Sequence, residues 1–166
     1  GCSNLPSWQV VESQWISKSM GLNRFVSCQD EYNILNRNVE AELIPAMQKY
    51  GCGLLPYFPL ASGLLTGKYK RTEMPEGARL TDMPTFANRI YLTDENFDIV
   101  DNLNKFANKT GHSILELAFG WMASRPTTAS IIAGATKPEQ IDANVAAVNW
   151  GLSQSEIDEV DKISAR

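Results

Sequence analysis

The chain of 166 residues, 43% of them hydrophobic, is long enough for one domain with a sizeable core. A net charge of −4 implies no basic face, which argues against a general nucleic-acid binder, and no apolar run approaches the roughly 20 residues of a membrane span. The three cysteines, Cys2, Cys28 and Cys52, include no CxxC pair and are expected as buried, reduced thiols in a soluble, cytoplasmic protein.

A strand fragment over 1–3 opens the chain and leads to Ser3 and Asn4. Residues 7–20 carry Trp8, Val11 and Trp15 at helical spacing, which predicts an amphipathic helix with that stripe as its apolar face. FVSCQ (25–29) reads as a second strand. Over 38–50, Val39, Leu43 and Met47 fall at i, i+4 and i+8, so a helix is expected, with a start or kink at Pro45. GCGLLPYFPL (51–60) is a third, buried strand running into a proline-punctuated loop. The stretch 61–92 is polar and rich in Gly, Pro and Thr, the mark of a long loop of the functional or mobile kind.

Thr93 opens the next helix, with Asp94 and Glu95 in its first turn and Phe97, Val100, Leu103 and Ala107 on its apolar face. The pair Ser113 and Glu116 has capping-box spacing for a buried helix over 113–125. ASIIAG (129–134) is β-branched and predicts a fourth strand. Further capping boxes are expected from Thr136 with Glu139, for a helix through Val148, and from Ser153 with Glu156, for a closing helix carrying Ile157, Val160 and Ile163. Trp8, Trp15, Trp121 and Trp150 are assigned to core or interface.

This alternation implies parallel strands with right-handed crossovers in one α/β domain over 1–166. About four strands fit either a small doubly wound domain or half of an eight-stranded barrel. The first strand begins in its middle, so the chain is expected to be incomplete and to pair with a missing half or with itself. In such folds ligands bind at the C-terminal ends of the strands. Those ends carry Ser3, Asn4, Gln29, Tyr57, Lys68, Gly134, Thr136 and Lys137. Amides suit a carboxamide, an aromatic face suits a flat heteroaromatic ring, and lysine with a helix N-terminus suits phosphate. Taken singly, each has a plain alternative: Ser3 as a cap, Gln29 as a satisfied interior amide, Tyr57 as core, Lys68 and Arg79 as solvated charges, Thr136 in its own capping box.

In order and spacing, GCSNL (1–5), QDEYNIL (29–35), LLPYFPLASGLLTGKY (54–69), IIAGATKPEQIDANV (131–145) and LSQSEIDEV (152–160) resemble the aldo-keto reductases. The similar branch contains bacterial general-purpose members and potassium-channel β subunits. The resemblance runs through essentially the whole chain and implies the C-terminal half of a (β/α)8 TIM barrel that binds NADP(H) across its C-terminal rim. It implies that Ser3 and Asn4, helped by Gln29, hold the nicotinamide carboxamide and that Tyr57 stacks on the ring. Phe58, Pro59 and Leu60 would follow the ribose and pyrophosphate, and Lys68 would reach the phosphates. Arg79, in PEGAR, would clamp the adenosine 2′-phosphate side; Gly134 and Thr136 would receive that phosphate, and Gln140 and Asn144 would meet the adenine.

Two departures accompany the match. Ala143 stands where many relatives carry an acidic residue. The family's Asp, Tyr, Lys and His, which reduce a small carbonyl substrate by hydride transfer, come from strands that this chain does not resemble, so no catalytic residue is assigned and the chain alone is expected to be inactive. His112, the one histidine, reads as a helix-junction residue, and the close spacing of Asp30 and Tyr32 does not match the family's pairing. No metal cluster, nucleophile elbow or Walker loop is present in the sequence. The alternative reading is a non-catalytic module that senses NADP(H).

Overall fold

The computed structural model describes residues 1–82 and 90–165. Three strands, β1 (Cys2–Ser3), β2 (Ser27–Gln29) and β3 (Gly53–Leu54), form a parallel sheet in the order β1-β2-β3. Cys2 pairs with Cys28 and Ser3 with Gln29, while Ser27 pairs with Gly53 and Cys28 with Leu54. Because side chains alternate along a strand, Cys28 and Leu54 are buried, whereas Ser3 and Gln29 lie one residue on and are exposed at the strand ends.

The expected fourth strand at 129–134 takes a reduced form. Leu54 and Thr128 form one parallel bridge and Tyr57 and Ile132 another, with no continuous ladder between them. The Leu54 N–H donates to the Thr127 carbonyl (2.7 Å), and the Ala129 N–H donates back to Leu54 (2.8 Å). Pro56 has no N–H to continue the alternation and only accepts, from Ile132 at 2.9 Å. Three steps on one side are matched by four on the other, a one-residue bulge. Gly53 permits the close approach, since a Cβ there would lie 2.7 Å from that of Ala129.

Helix α1 (Ser7–Met20) has the expected bounds but a different buried face. Val10 and Gln14 point inward, and Trp8 and Trp15 are 61% and 57% exposed. The buried amide is satisfied at one end: Gln14 Nε2 reaches the Phe25 carbonyl (2.9 Å) and Cys52 Sγ (3.2 Å), while Oε1 is buried without a partner. Helix α2 (Leu43–Tyr50) starts later than expected, after a 3₁₀ turn at Asn38–Glu40. Pro45 explains this: in the first turn its missing N–H costs nothing, whereas a longer helix would drive its ring into the Ala41 carbonyl.

The expected loop 61–92 contains a 3₁₀ stretch, Ala61–Thr66, and the short helix α3 (Arg79–Asp82); its residues 83–89 lie outside the described residues. Helix α4 (Asp94–Lys109) is capped by Thr93, whose side chain accepts from the Asn96 N–H at 3.2 Å, and Phe97, Val100, Leu103 and Ala107 are all buried. Both Ser113 with Glu116 and Ser153 with Glu156 form complete capping boxes, for α5 (Ile114–Ala123) and α7 (Gln154–Ile163). Between them α6 (Pro138–Ala147) does not use the expected Thr136–Glu139 box. Gln140 Oε1 accepts instead from the Thr136 and Lys137 N–H groups at 2.7 and 3.2 Å.

The core gathers Val10, Met47, Cys28 and Leu54 with Leu64, Leu65, Leu103, Leu117 and Trp121. A charged cluster fastens α7 to it. Asp161 Oδ1 accepts from Trp121 Nε1 (2.8 Å), from Arg37 (2.9 Å) and from Arg125. Both guanidiniums lie against the Trp121 ring, and Tyr32 donates to Glu40 at 2.6 Å. Burial opposes the Arg37 charge, but Glu40 and Asp161 outweigh it and hold its pKa above the usual value. The three cysteines are unpaired thiols; burial, then the Cys2 thiol 3.5 Å away, pushes Cys28 far up.

Candidate functional site

The C-terminal ends of the strands carry a linked strip of side chains. Ser3 Oγ donates to the Gln29 carbonyl (2.8 Å), Asn4 Nδ2 donates to Ser3 Oγ (3.1 Å), and the Tyr57 phenol donates to Asn4 Oδ1 (2.8 Å). Asn4 adopts a left-handed conformation (φ 55), one that asparagine tolerates, and the turn sets its amide against Tyr57. The Gln29 side chain is exposed beside this chain of bonds.

The strip continues through aromatic contacts. The Tyr57 and Phe58 rings meet edge to face at 5.2 Å, and the Arg79 guanidinium lies 5.7 Å from the Phe58 ring. Pro59 is buried and Leu60 half-buried where the 3₁₀ stretch begins, and Ala61 and Ser62 are left-handed with φ 48 and 56. Lys68 is exposed, with its ammonium 5.1 Å from the Tyr69 ring. Because the Tyr69 phenol accepts from the Leu80 N–H (3.0 Å), Lys68 and Arg79 sit on adjoining pieces of chain.

Gly134 and Thr136 are exposed just beyond Ile132, the bridge partner of Tyr57. The Gln140 amide oxygen is occupied at the start of α6, accepting from the Thr136 backbone and hydroxyl. Asn144 departs from the strip: with Phe119, Ile141, Val145 and Val148 it lines an apolar groove of about 440 Å³ between α5, α6 and 128–135. Ser3, Asn4, Gln29, Tyr57, Phe58 and Arg79 are thus brought together, Lys68 flanks them, and Asn144 does not join.

Burial raises the Asp30 pKa above the ordinary 3.8. Burial, followed by the Glu31 and Asp30 charges, raises that of Tyr57 and keeps its phenol a donor. Glu31 accepts from Asn36 (2.9 Å) and from the buried Tyr91 phenol, while Asn33 Nδ2 donates to the Phe58 carbonyl (2.9 Å). Glu31, Asn33 and Tyr91 were not among the sequence candidates; the N-x-x-N spacing of Asn33 and Asn36 is the one local signal, and it reads as a turn. His112 stacks on Trp150 at 3.9 Å with Nδ1 3.3 Å from Glu116, a packing role. Tyr32 is fully buried and bonded to Glu40, so it forms no dyad with Asp30. Among the described residues no group of three or more His, Cys, Asp or Glu could hold a metal ion, and no helix is long and apolar enough to cross a membrane.

The family model described as "Aldo/keto reductase family" matches residues 1–165. The chain is 38% identical to a probable voltage-gated potassium channel subunit beta of Oryza sativa subsp. japonica, over 99% of this chain and 51% of the relative. It is 36% identical to an NADH-specific methylglyoxal reductase of Escherichia coli (strain K12), over 88% and 44%. It is 34% identical to an L-glyceraldehyde 3-phosphate reductase of Escherichia coli O157:H7, over 81% and 40%. The chain spans about half the length of the curated relatives it matches.

Proposed function

Because this chain belongs to the aldo/keto reductase family, we propose that it is the cofactor-holding half of a (β/α)8 barrel oxidoreductase, with residues 1–166 as one partial domain. The observation that carries this reading is the continuous strip from Ser3 through Asn4 and Tyr57 to Phe58 and Arg79 at the strand ends. These groups fit a nicotinamide dinucleotide, which when bound supplies the hydride. Ser3, Asn4 and Gln29 hold the carboxamide, Tyr57 faces the ring, and Phe58, Pro59 and Leu60 follow the ribose and pyrophosphate. Lys68, Arg79, Gly134 and Thr136 meet the phosphates, and the two cations favour NADP(H) over NAD(H). Gln140 and Asn144 would meet the adenine, which requires the Gln140 amide to leave its present partners and the adenine to reach the separate groove that Asn144 lines.

Carbonyl reduction belongs to the complete barrel. Two apolar faces support a partner that completes it: Trp8, Trp15, Ile16 and Met20 on α1, and Ile132, Ile141, Val145 and Val148 at the far end of the sheet, all exposed. A contiguous half or a second copy would cover both. The three free thiols support a cytoplasmic setting.

Titration of the chain with NADPH and NADH, followed by nicotinamide fluorescence, tests the proposal. Saturable binding with NADPH preferred is expected, and Arg79→Ala should lower that preference by about tenfold. A folded chain that binds neither, or one that reduces a simple aldehyde unaided, overturns it. Similarity to a potassium channel β subunit favours a second reading, a non-catalytic NADP(H)-sensing module. A complete protein that binds NADPH yet leaves aldehydes unreduced would select it.

A further inference from the structure

We propose that Asn33 is a positioning residue for the Tyr57–Phe58 platform and sets the affinity for the nicotinamide dinucleotide without touching it. This rests on the assignment of Tyr57 and Phe58 as cofactor contacts. Phe58 adopts φ 53, a left-handed conformation that a bulky side chain keeps only when its surroundings impose it. Its carbonyl is fixed by two donors, the Ala61 N–H and Asn33 Nδ2, each at 2.9 Å. Ala61 belongs to the same strained turn, with φ 48, so Asn33 is the anchor that comes from outside it.

Asn33 is itself held rigidly. It is fully buried, and its Oδ1 accepts from the Leu35 and Asn36 N–H groups at 2.9 Å each, an Asx turn that aims the amide nitrogen at Phe58. The Tyr91 phenol donates to Glu31 in the same loop. The preceding residue is tied to the same loop, because the Tyr57 N–H donates to the Asp30 carbonyl at 3.1 Å. With its carbonyl drawn inward, Phe58 turns its ring outward, 40% exposed, under the Arg79 guanidinium. Loss of the Asn33 donor lets residue 58 relax to negative φ, which carries the ring away from both Tyr57 and Arg79.

The test is a double-substitution cycle on the full chain. Asn33→Asp keeps the acceptor of the Asx turn and removes the donor; Phe58→Gly removes the cost of the left-handed conformation. Two quantities are read: NADPH affinity, and hydrogen exchange at the Ala61 amide, which needs no ligand. Asn33→Asp should weaken NADPH binding and speed Ala61 exchange by about tenfold each, and by less than about twofold in the Phe58→Gly background. Equal effects in both backgrounds, or unchanged exchange in a folded Asn33→Asp chain, overturn the proposal. Coupled exchange without any NADPH binding by the unsubstituted chain keeps Asn33 as the anchor of Phe58 and overturns the cofactor assignment alone. An Asp variant that folds only with Gly at position 58 supports the coupling; one that folds in neither background is replaced by Asn33→Ser, read by the same criteria.

Discussion

The Tyr57 phenol and the Asn4 amide, 53 positions apart, are joined by a 2.8 Å hydrogen bond that ties the end of β3 to the end of β1. It orients both groups on the strip, so removing the hydroxyl and removing the ring should differ. Tyr57→Phe should cost about 1 kcal/mol of stability and weaken NADPH binding only a few fold. Tyr57→Ala should weaken it by tenfold or more, because base–aromatic stacking is worth roughly 1–3 kcal/mol. Urea denaturation and cofactor titration check the two effects separately.

Asp161 serves three donors, and its removal leaves two guanidiniums and an indole N–H facing one another. Asp161→Ala should destabilise the chain by about 2–4 kcal/mol in a denaturant melt. Arg71, paired with Asp94 and Asp98 at the surface, is the contrast: Arg71→Ala should cost less than about 1 kcal/mol. Comparable losses for the two variants would refute this ranking.

Gly53 leaves no room for a methyl group against Ala129. Gly53→Ala should cost about 1–3 kcal/mol by forcing segment 128–132 off the sheet edge. Faster hydrogen exchange at the Ala129 amide, which donates to Leu54, should accompany the loss.

The capping boxes and Asp30 predict opposite pH dependences. Bonds from Ser113 lower the Glu116 pKa, and bonds from Ser153 lower that of Glu156, both below the ordinary 4.5. Their stabilisation is therefore complete above pH 4.5 and is lost as pH falls through the folded values. Ser113→Ala and Ser153→Ala should each cost about 1 kcal/mol at neutral pH and less in acid. Asp30, raised by burial, costs stability above its folded pKa and regains it as pH falls through that value. Asp30→Asn should raise the melting temperature at neutral pH, with the gain vanishing below the ordinary 3.8.

The sequence was most legible where one residue type has one local use. Ser113 and Ser153 announced their helices because a side-chain oxygen followed three residues later by glutamate can satisfy a helix N-terminus locally, and Thr93 did so with Asp94 and Glu95 in its first turn; Thr136 marks the limit, since Gln140 rather than Glu139 caps its helix. Ser3, Asn4, Gln29 and Tyr57 were readable as a set because strand ends in a parallel sheet share one edge. The inward face of α1 was not readable: Gln14 is buried only because Phe25 and Cys52, distant in sequence, supply partners. Asn33 was hidden for the same reason, since its turn spacing is ordinary and its bond to Phe58 spans 25 positions. The fourth strand misled because β-branched composition says nothing about whether the neighbouring segment, here through Pro56, has an N–H to offer.

The three thiols have a practical consequence. Cys2, Cys28 and Cys52 lie in or beside three successive strands, and Cys28 is fully enclosed with its thiol held protonated. An alkylating reagent can reach Cys28 only when the core packed over its face of the sheet, Val10 and Met47 included, opens. The rate of its modification under native conditions therefore clocks that opening, so the protein carries an internal stopwatch for the lifting of its helices from the sheet.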